Sequence, residues 1–169
     1  GVSADLNYLL IYLLRAKGYT AEPVLVKTRK EGLVSVARPS LAQFNHVIVA
    51  VSLPGRATFL LDATQRDCPL GVLPKFDLND RGHLVHENSS EWISLTPLTK
   101  AKMAVQINAK FEEESLTGSS TIKAEGYSAI DLKRMAHADD SPSSFLSNLT
   151  DRTVTDCQVE GIGNRQEAL

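Results

Sequence analysis

Between residues 45 and 62 the chain carries two apolar runs, 45–53 (NHVIVAVSL) and 57–62 (ATFLLD), separated by Pro54-Gly55. Both runs are rich in residues that favour extended backbone, and the dipeptide between them is a turn signal. The segment is therefore expected to form an antiparallel hairpin. Such a hairpin sets His46, at the start of one strand, close to opposite Asp62, at the end of the other, so that the two side chains are neighbours across the ladder.

The hairpin is preceded by a helical pattern. Leucines at 6, 9, 10, 13 and 14 fall at the spacing of a helix with one buried stripe. Ser3 is placed to cap this helix, Asp5 lies in its first turn and Gly18 follows its last residue, which predicts a helix over 3–17. A strand is expected at 23–28 (PVLVKT) and short strands at 83–87 and 91–96, with polar or Pro/Gly-containing loops at 29–43 and 63–82. Pro97 closes this unit. Beyond it, residues 102–111 place Met103, Val105, Ile107, Ala109 and Phe111 on one face of a strand, and 118–125 alternate more weakly. Glu112, Glu113, Glu114, Ser115 and Gly118 supply the bend of a second hairpin, read as a solvated turn rather than a calcium site. Helices are expected at 127–138 and 142–150, the latter opened by Ser141-Pro142, and a last strand at 153–160.

Charge supports a boundary near residue 100. Residues 1–100 hold 11 Lys+Arg against 9 Asp+Glu, and residues 101–169 hold 7 against 11. The whole chain has net charge −2, which argues against a nucleic-acid partner. No apolar stretch is long enough to span a membrane. The chain opens at Gly1 directly on an apolar helix, which suggests a piece of a longer protein or a mature form. Cys68 and Cys157 have no metal-ligand spacing; they are two unpaired thiols or, less simply, a disulfide. Cys68 sits in an irregular loop and not at a helix start, so it is a poor nucleophile candidate. His83 and His86 lie two apart on an expected strand, without further residues placed to complete a metal site. No metal or other cofactor is expected. Trp92 is expected to anchor packing or to line a groove.

Ser3, His46 and Asp62 are the candidate catalytic residues. A helix N-terminus docked against the hairpin would bring residue 3 to the imidazole. The arrangement is that of an activated nucleophile: helix dipole and imidazole favour the anion at residue 3, and the carboxylate fixes the tautomer and orientation of the imidazole.

These residues carry a resemblance. The stretch from Gly1-Val2-Ser3-Ala4-Asp5 to Arg15-Ala16-Lys17-Gly18, then Pro23-Val24-Leu25-Val26, Phe44-Asn45-His46-Val47-Ile48 and Leu61-Asp62-Ala63-Thr64, resembles the transglutaminase-like superfamily of the papain-like cysteine protease fold. In that family a G-x-C opens the core helix, a strand bears the catalytic His and the next strand ends in the catalytic Asp. The resemblance covers residues 1–97 and is nearest to bacterial extracytoplasmic proteins. It implies an α+β chain: a transglutaminase-like core at 1–99, with a helix packed on an antiparallel sheet, then part of a flanking domain at 100–169 made of a β-hairpin and helices. It also implies a periplasmic or secreted location, and as partners a peptide or protein substrate and other domains of the same parent protein.

Two departures bear on function. Ser3 stands where the family has its cysteine, and the helices that the family places before the G-x-C have no counterpart here. A helix dipole worth about 1 kcal/mol does not make a serine hydroxyl as ionisable as a thiol. A catalytically degenerate domain that binds a peptide or polymer, or serves as scaffold, is the first expectation. An active amide hydrolase or transferase, with residue 3 attacking and His46 as base, is the alternative.

Overall fold

The computed structural model describes residues 2–38, 40–53, 55, 57–97, 99–112, 115–138, 142–150, 153, 154, 157, 158 and 160. The chain is α+β and divides into two compact units, Gly1–Leu98 and Thr99–Leu169.

The first unit is a helix, α1 (Val2–Ala16), and five strands: β1 (Thr20–Val26), β2 (His46–Ser52), β3 (Phe59–Leu61), β4 (Arg81–Val85) and β5 (Ser90–Ser94). The strands form one sheet in the order β3-β2-β1-β4-β5, antiparallel throughout. Every residue of β2 from His46 to Val51 is buried, so this strand of the hairpin has cover on both faces, while β3 at the sheet edge is half-buried. On one face α1 packs through Ile11, Leu10 and Leu14 onto Ala21, Val49 and Leu61. On the other face Val24, Val26, Ile48, Ala50 and Leu84 meet Leu73 and Leu95. Leu73 belongs to the irregular segment 63–80, which folds back over that face and buries Val72, Leu73 and Asp77.

Helix α1 ends as its sequence predicts. Gly18 has φ 85°, its N–H donates to the Arg15 carbonyl at 2.9 Å, and the Tyr19 N–H donates to the Leu14 carbonyl at 3.0 Å. This is the glycine-terminated cap that satisfies the last carbonyls of a helix. The other end and the buried face differ from expectation. The helix starts at Val2, so Ser3 lies inside the first turn instead of capping it. The stripe in the interior is Asn7, Leu10, Ile11 and Leu14, whereas Leu6, Leu9 and Leu13 are exposed. Apolar residues run round most of this helix, so periodicity did not choose the face. Polar groups at the end of the sheet bind Asn7, and that fixes the rotation.

Strand boundaries of the first unit shift from their expected positions. The first begins at Thr20 instead of 23 because Thr20, Ala21 and Glu22 also pair with β2, and β4 and β5 begin two and one residues before their expected starts. Gly82 of β4 is buried, and a Cβ there would stand 2.7 Å from Val24 and 3.2 Å from Leu95, so the close approach of the strand to the core requires glycine.

The second unit has a hairpin, β6 (Ala101–Glu112) with β7 (Ser115–Gly126), and helices α2 (Tyr127–Ala138) and α3 (Pro142–Thr150). Both helices match the expected spans. Lys102 and Glu125 are directly opposite and form an ion pair of 2.9 Å. Helix α2 packs on both strands and buries Tyr127. Met103, Val105, Ile107 and Phe111 are exposed. The expected bend at Glu113-Glu114 and the cap at Ser141 lie outside the described residues. Of the strand expected at 153–160, the described residues 153, 154, 157, 158 and 160 are not in strand conformation. Cys68 and Cys157 are not joined in a disulfide. Among the described residues no helix is long and apolar enough to cross a membrane.

Candidate active site

The hairpin register explains how His46 meets Asp62. Val49 pairs with Leu61 across β2 and β3, so Asp62 is level with Ile48 and lies two residues off the level of His46. The expectation of near-opposite positions is thus corrected to a diagonal one, still within reach of side chains of this length. His46 Nε2 stands 3.3 Å from Asp62 Oδ2, with the side chains 5% and 0% exposed.

Asp62 is surrounded by donors. Its Oδ1 accepts from Asn7 Nδ2 at 2.7 Å and from the Thr64 N–H at 2.9 Å, and its Oδ2 accepts from the Thr64 hydroxyl at 2.7 Å. Burial pushes the Asp62 carboxyl up. The hydrogen bonds from His46, Asn7 and Thr64 outweigh burial and hold it below the usual carboxylate range. Asp62 is therefore a buried carboxylate that stays ionised.

Asn7 ties this carboxylate to α1. Besides Asp62 it donates to the Val47 carbonyl at 2.8 Å, and its own oxygen accepts the Ala63 N–H at 2.8 Å. Asn7 is wholly buried at the end of the sheet that β3 does not cover. Ser3 precedes it by four residues, hence by about 6 Å along the same side of the helix. The first turn of α1 is thus delivered to the His46 end of the sheet. The Ser3 side chain is exposed and makes no hydrogen bond to His46. The imidazole is held through Nε2, and its Nδ1 has no hydrogen bond to a described residue.

A second carboxyl completes the group. Asp77 Oδ1 lies 3.6 Å from His46 Nε2, and the Asp77 side chain is 0% exposed. The ring of Phe76 meets the His46 ring edge-on at 5.8 Å. Ligand atoms of His46, Asp62 and Asp77 lie within 4.8 Å of one another, a spacing a cation can bridge. Both Asp62 oxygens already serve Asn7, Thr64 and His46.

The other singled-out residues go elsewhere. His83 stacks with Phe44 (centroids 6.1 Å) and meets Trp92 across the strand pair at 4.6 Å, so Trp92 anchors a small aromatic cluster. His86 Nδ1 contacts Glu22 at 2.8 Å, and its hydrogen bonds to Glu22 and Glu91 raise its pKa. The two histidines therefore do not form one site. A groove of 610 Å³ lies along α1 beside Tyr8, Ile11, Arg15, Glu22, Pro23 and His86, and none of Ser3, His46, Asp62 and Asp77 lines it.

Sequence reasoning missed Asn7 and Asp77. Asn7 was detectable as a polar residue on an otherwise apolar helix. Asp77 had no such signal, since it comes from an irregular segment. Comparison with known family models, with curated proteins and with solved structures found no match.

Proposed function

We propose that residues 1–98 are a transglutaminase-like domain with a papain-like core, in which serine occupies the nucleophile position. Its role is to bind a peptide or polymer, or to serve as scaffold, in a larger extracytoplasmic protein. The observation that supports this most is the buried pair His46 Nε2–Asp62 Oδ2 at 3.3 Å, linked through Asn7 to the helix whose first turn carries Ser3. The pair has the parts of a base and its orienting carboxylate, and the helix N-terminus favours an anion at residue 3. Serine gains least from such a setting. Its hydroxyl must lose the proton during attack, and the contribution of a helix end is about 1 kcal/mol.

One observation favours an active amide hydrolase or transferase instead. The charge arrangement is complete: Asp62 is ionised, and Nε2 faces it, leaving Nδ1 for a proton from residue 3. In that case Ser3 attacks the amide carbon, His46 takes the hydroxyl proton and returns it to the leaving amine, and Asp62 holds the imidazole.

Turnover of peptide and amine-transfer substrates by the wild type, Ser3→Cys and His46→Ala proteins separates the two. The degenerate domain predicts no turnover by wild type and a gain in Ser3→Cys. Wild-type turnover that His46→Ala abolishes would establish the active enzyme.

A further inference from the structure

Segment 74–79 is clamped over the sheet. The Asp77 N–H donates to the Pro74 carbonyl at 3.0 Å, and the Asn79 N–H donates to the Asp77 carbonyl at 2.7 Å. Asn79 Nδ2 donates to the carbonyls of Lys27 and Gly32, both at 2.8 Å, and the Arg29 N–H donates to the Phe76 carbonyl at 2.9 Å. With the backbone held on either side of it, the Asp77 side chain lies wholly out of contact with water. Yet neither of its buried oxygens has a hydrogen-bond partner among the described residues.

The contrast with Asp62 decides the protonation. Asp62 receives four donors, and Asp77 receives none. An ionised carboxylate buried without donors is costly, and two ionised carboxylates in one buried group are costlier still. A neutral carboxylic acid escapes both penalties, but its hydroxyl needs an acceptor. The acceptor at hand is the Asp62 carboxylate.

We propose that Asp77 is a positioning residue for the His46–Asp62 pair: a protonated carboxylic acid that donates its hydrogen to the Asp62 carboxylate. The donated hydrogen leaves a single negative charge in the group. It keeps Asp62 turned toward Nε2–H, so the bare nitrogen of the neutral imidazole is Nδ1. Burial first, and then the charge of Asp62, push the Asp77 pKa up to about 9. The titratable groups facing it are Asp62, at the end of β3, and His46, on β2. Lys75 and Asp80 of its own segment are exposed. Raising the pH through about 9 places a second negative charge 3.6 Å from Nε2, beside the Asp62 carboxylate, and so changes the electrostatics at the imidazole. The consequence for catalysis rests on the triad proposed above; the proton assignment does not.

The test is a carbon-13 and nitrogen-15 NMR titration of the whole chain without substrate, so that absence of turnover does not affect its outcome. In the wild type the Asp77 carboxyl carbon should be silent between pH 4 and 7.5 and titrate near 9, with His46 in the Nε2–H form at neutral pH. Asp77→Asn keeps a donor and should preserve that tautomer, while the step near pH 9 disappears from the His46 signals. Asp77→Ala should mix the tautomers. A wild-type Asp77 carbon that titrates near pH 4 overturns the proposal even if the variants do not fold. A His46 tautomer indifferent to Asp77→Ala overturns it as well.

Discussion

Asn7 Nδ2 lies 2.7 Å from Asp62 Oδ1 and 2.8 Å from the Val47 carbonyl, so one helix side chain ties the site carboxylate to the start of β2. Replacing Asn7 by leucine removes its hydrogen bonds to the Val47 carbonyl and from the Ala63 N–H and deprives buried Asp62 of a donor. Each such loss costs about 1–3 kcal/mol. Asn7→Leu should destabilise the chain by about 3 kcal/mol in urea unfolding, despite the better helix propensity of leucine. A loss under about 0.5 kcal/mol would show that the network has little weight.

The dependence of stability on pH should carry the signs of the two carboxyls. Asp62 has a lowered folded pKa, so its contribution is present above pH 3.8 and is lost as pH falls through the folded value. Asp77 has a raised folded pKa. Between 3.8 and about 9 the folded state holds a proton that the unfolded state has released, so stability falls as pH rises across that window. Asp77→Asn removes this fall. Its thermal stability relative to wild type should therefore improve from pH 5 to pH 8, by at most about 1.4 kcal/mol per pH unit. A constant difference over that range would mean that Asp77 is ionised in the folded chain.

Gly82 offers a check on the core alone. A methyl group there enters the space held by Val24 and Leu95. Gly82→Ala should cost about 1–3 kcal/mol, the usual range for overpacking, and leave the His46 NMR signals in place. Unchanged stability would show that β4 can move away from the core.

How much of this was legible in the sequence depended on whether a period was present. The runs at 45–53 and 57–62 marked the hairpin, and Pro54-Gly55 its turn, so the meeting of His46 and Asp62 was readable even though the register makes it diagonal. Two helices of the second unit followed from pattern and composition. The face of α1 was not readable, because Leu6, Leu9 and Leu13 compete with Leu10, Ile11 and Leu14, and a buried asparagine settles the choice. Asp77 was not readable either. Its segment has no repeating pattern, and it reaches the site by folding back over the sheet, anchored through Asn79 to carbonyls 47 and 52 residues away in sequence.

The central claim is that position 3, His46 and Asp62 form one chemical unit. The most direct measurement is the pH dependence of alkylation at position 3 in Ser3→Cys, read by site-resolved mass spectrometry so that Cys68 and Cys157 do not interfere, with and without His46→Ala. A helix N-terminus and a facing imidazole should lower the thiol pKa by at least about one unit from the free value near 8.5, and His46→Ala should return it most of the way. A thiol that titrates like a free cysteine and is indifferent to His46→Ala would contradict the claim.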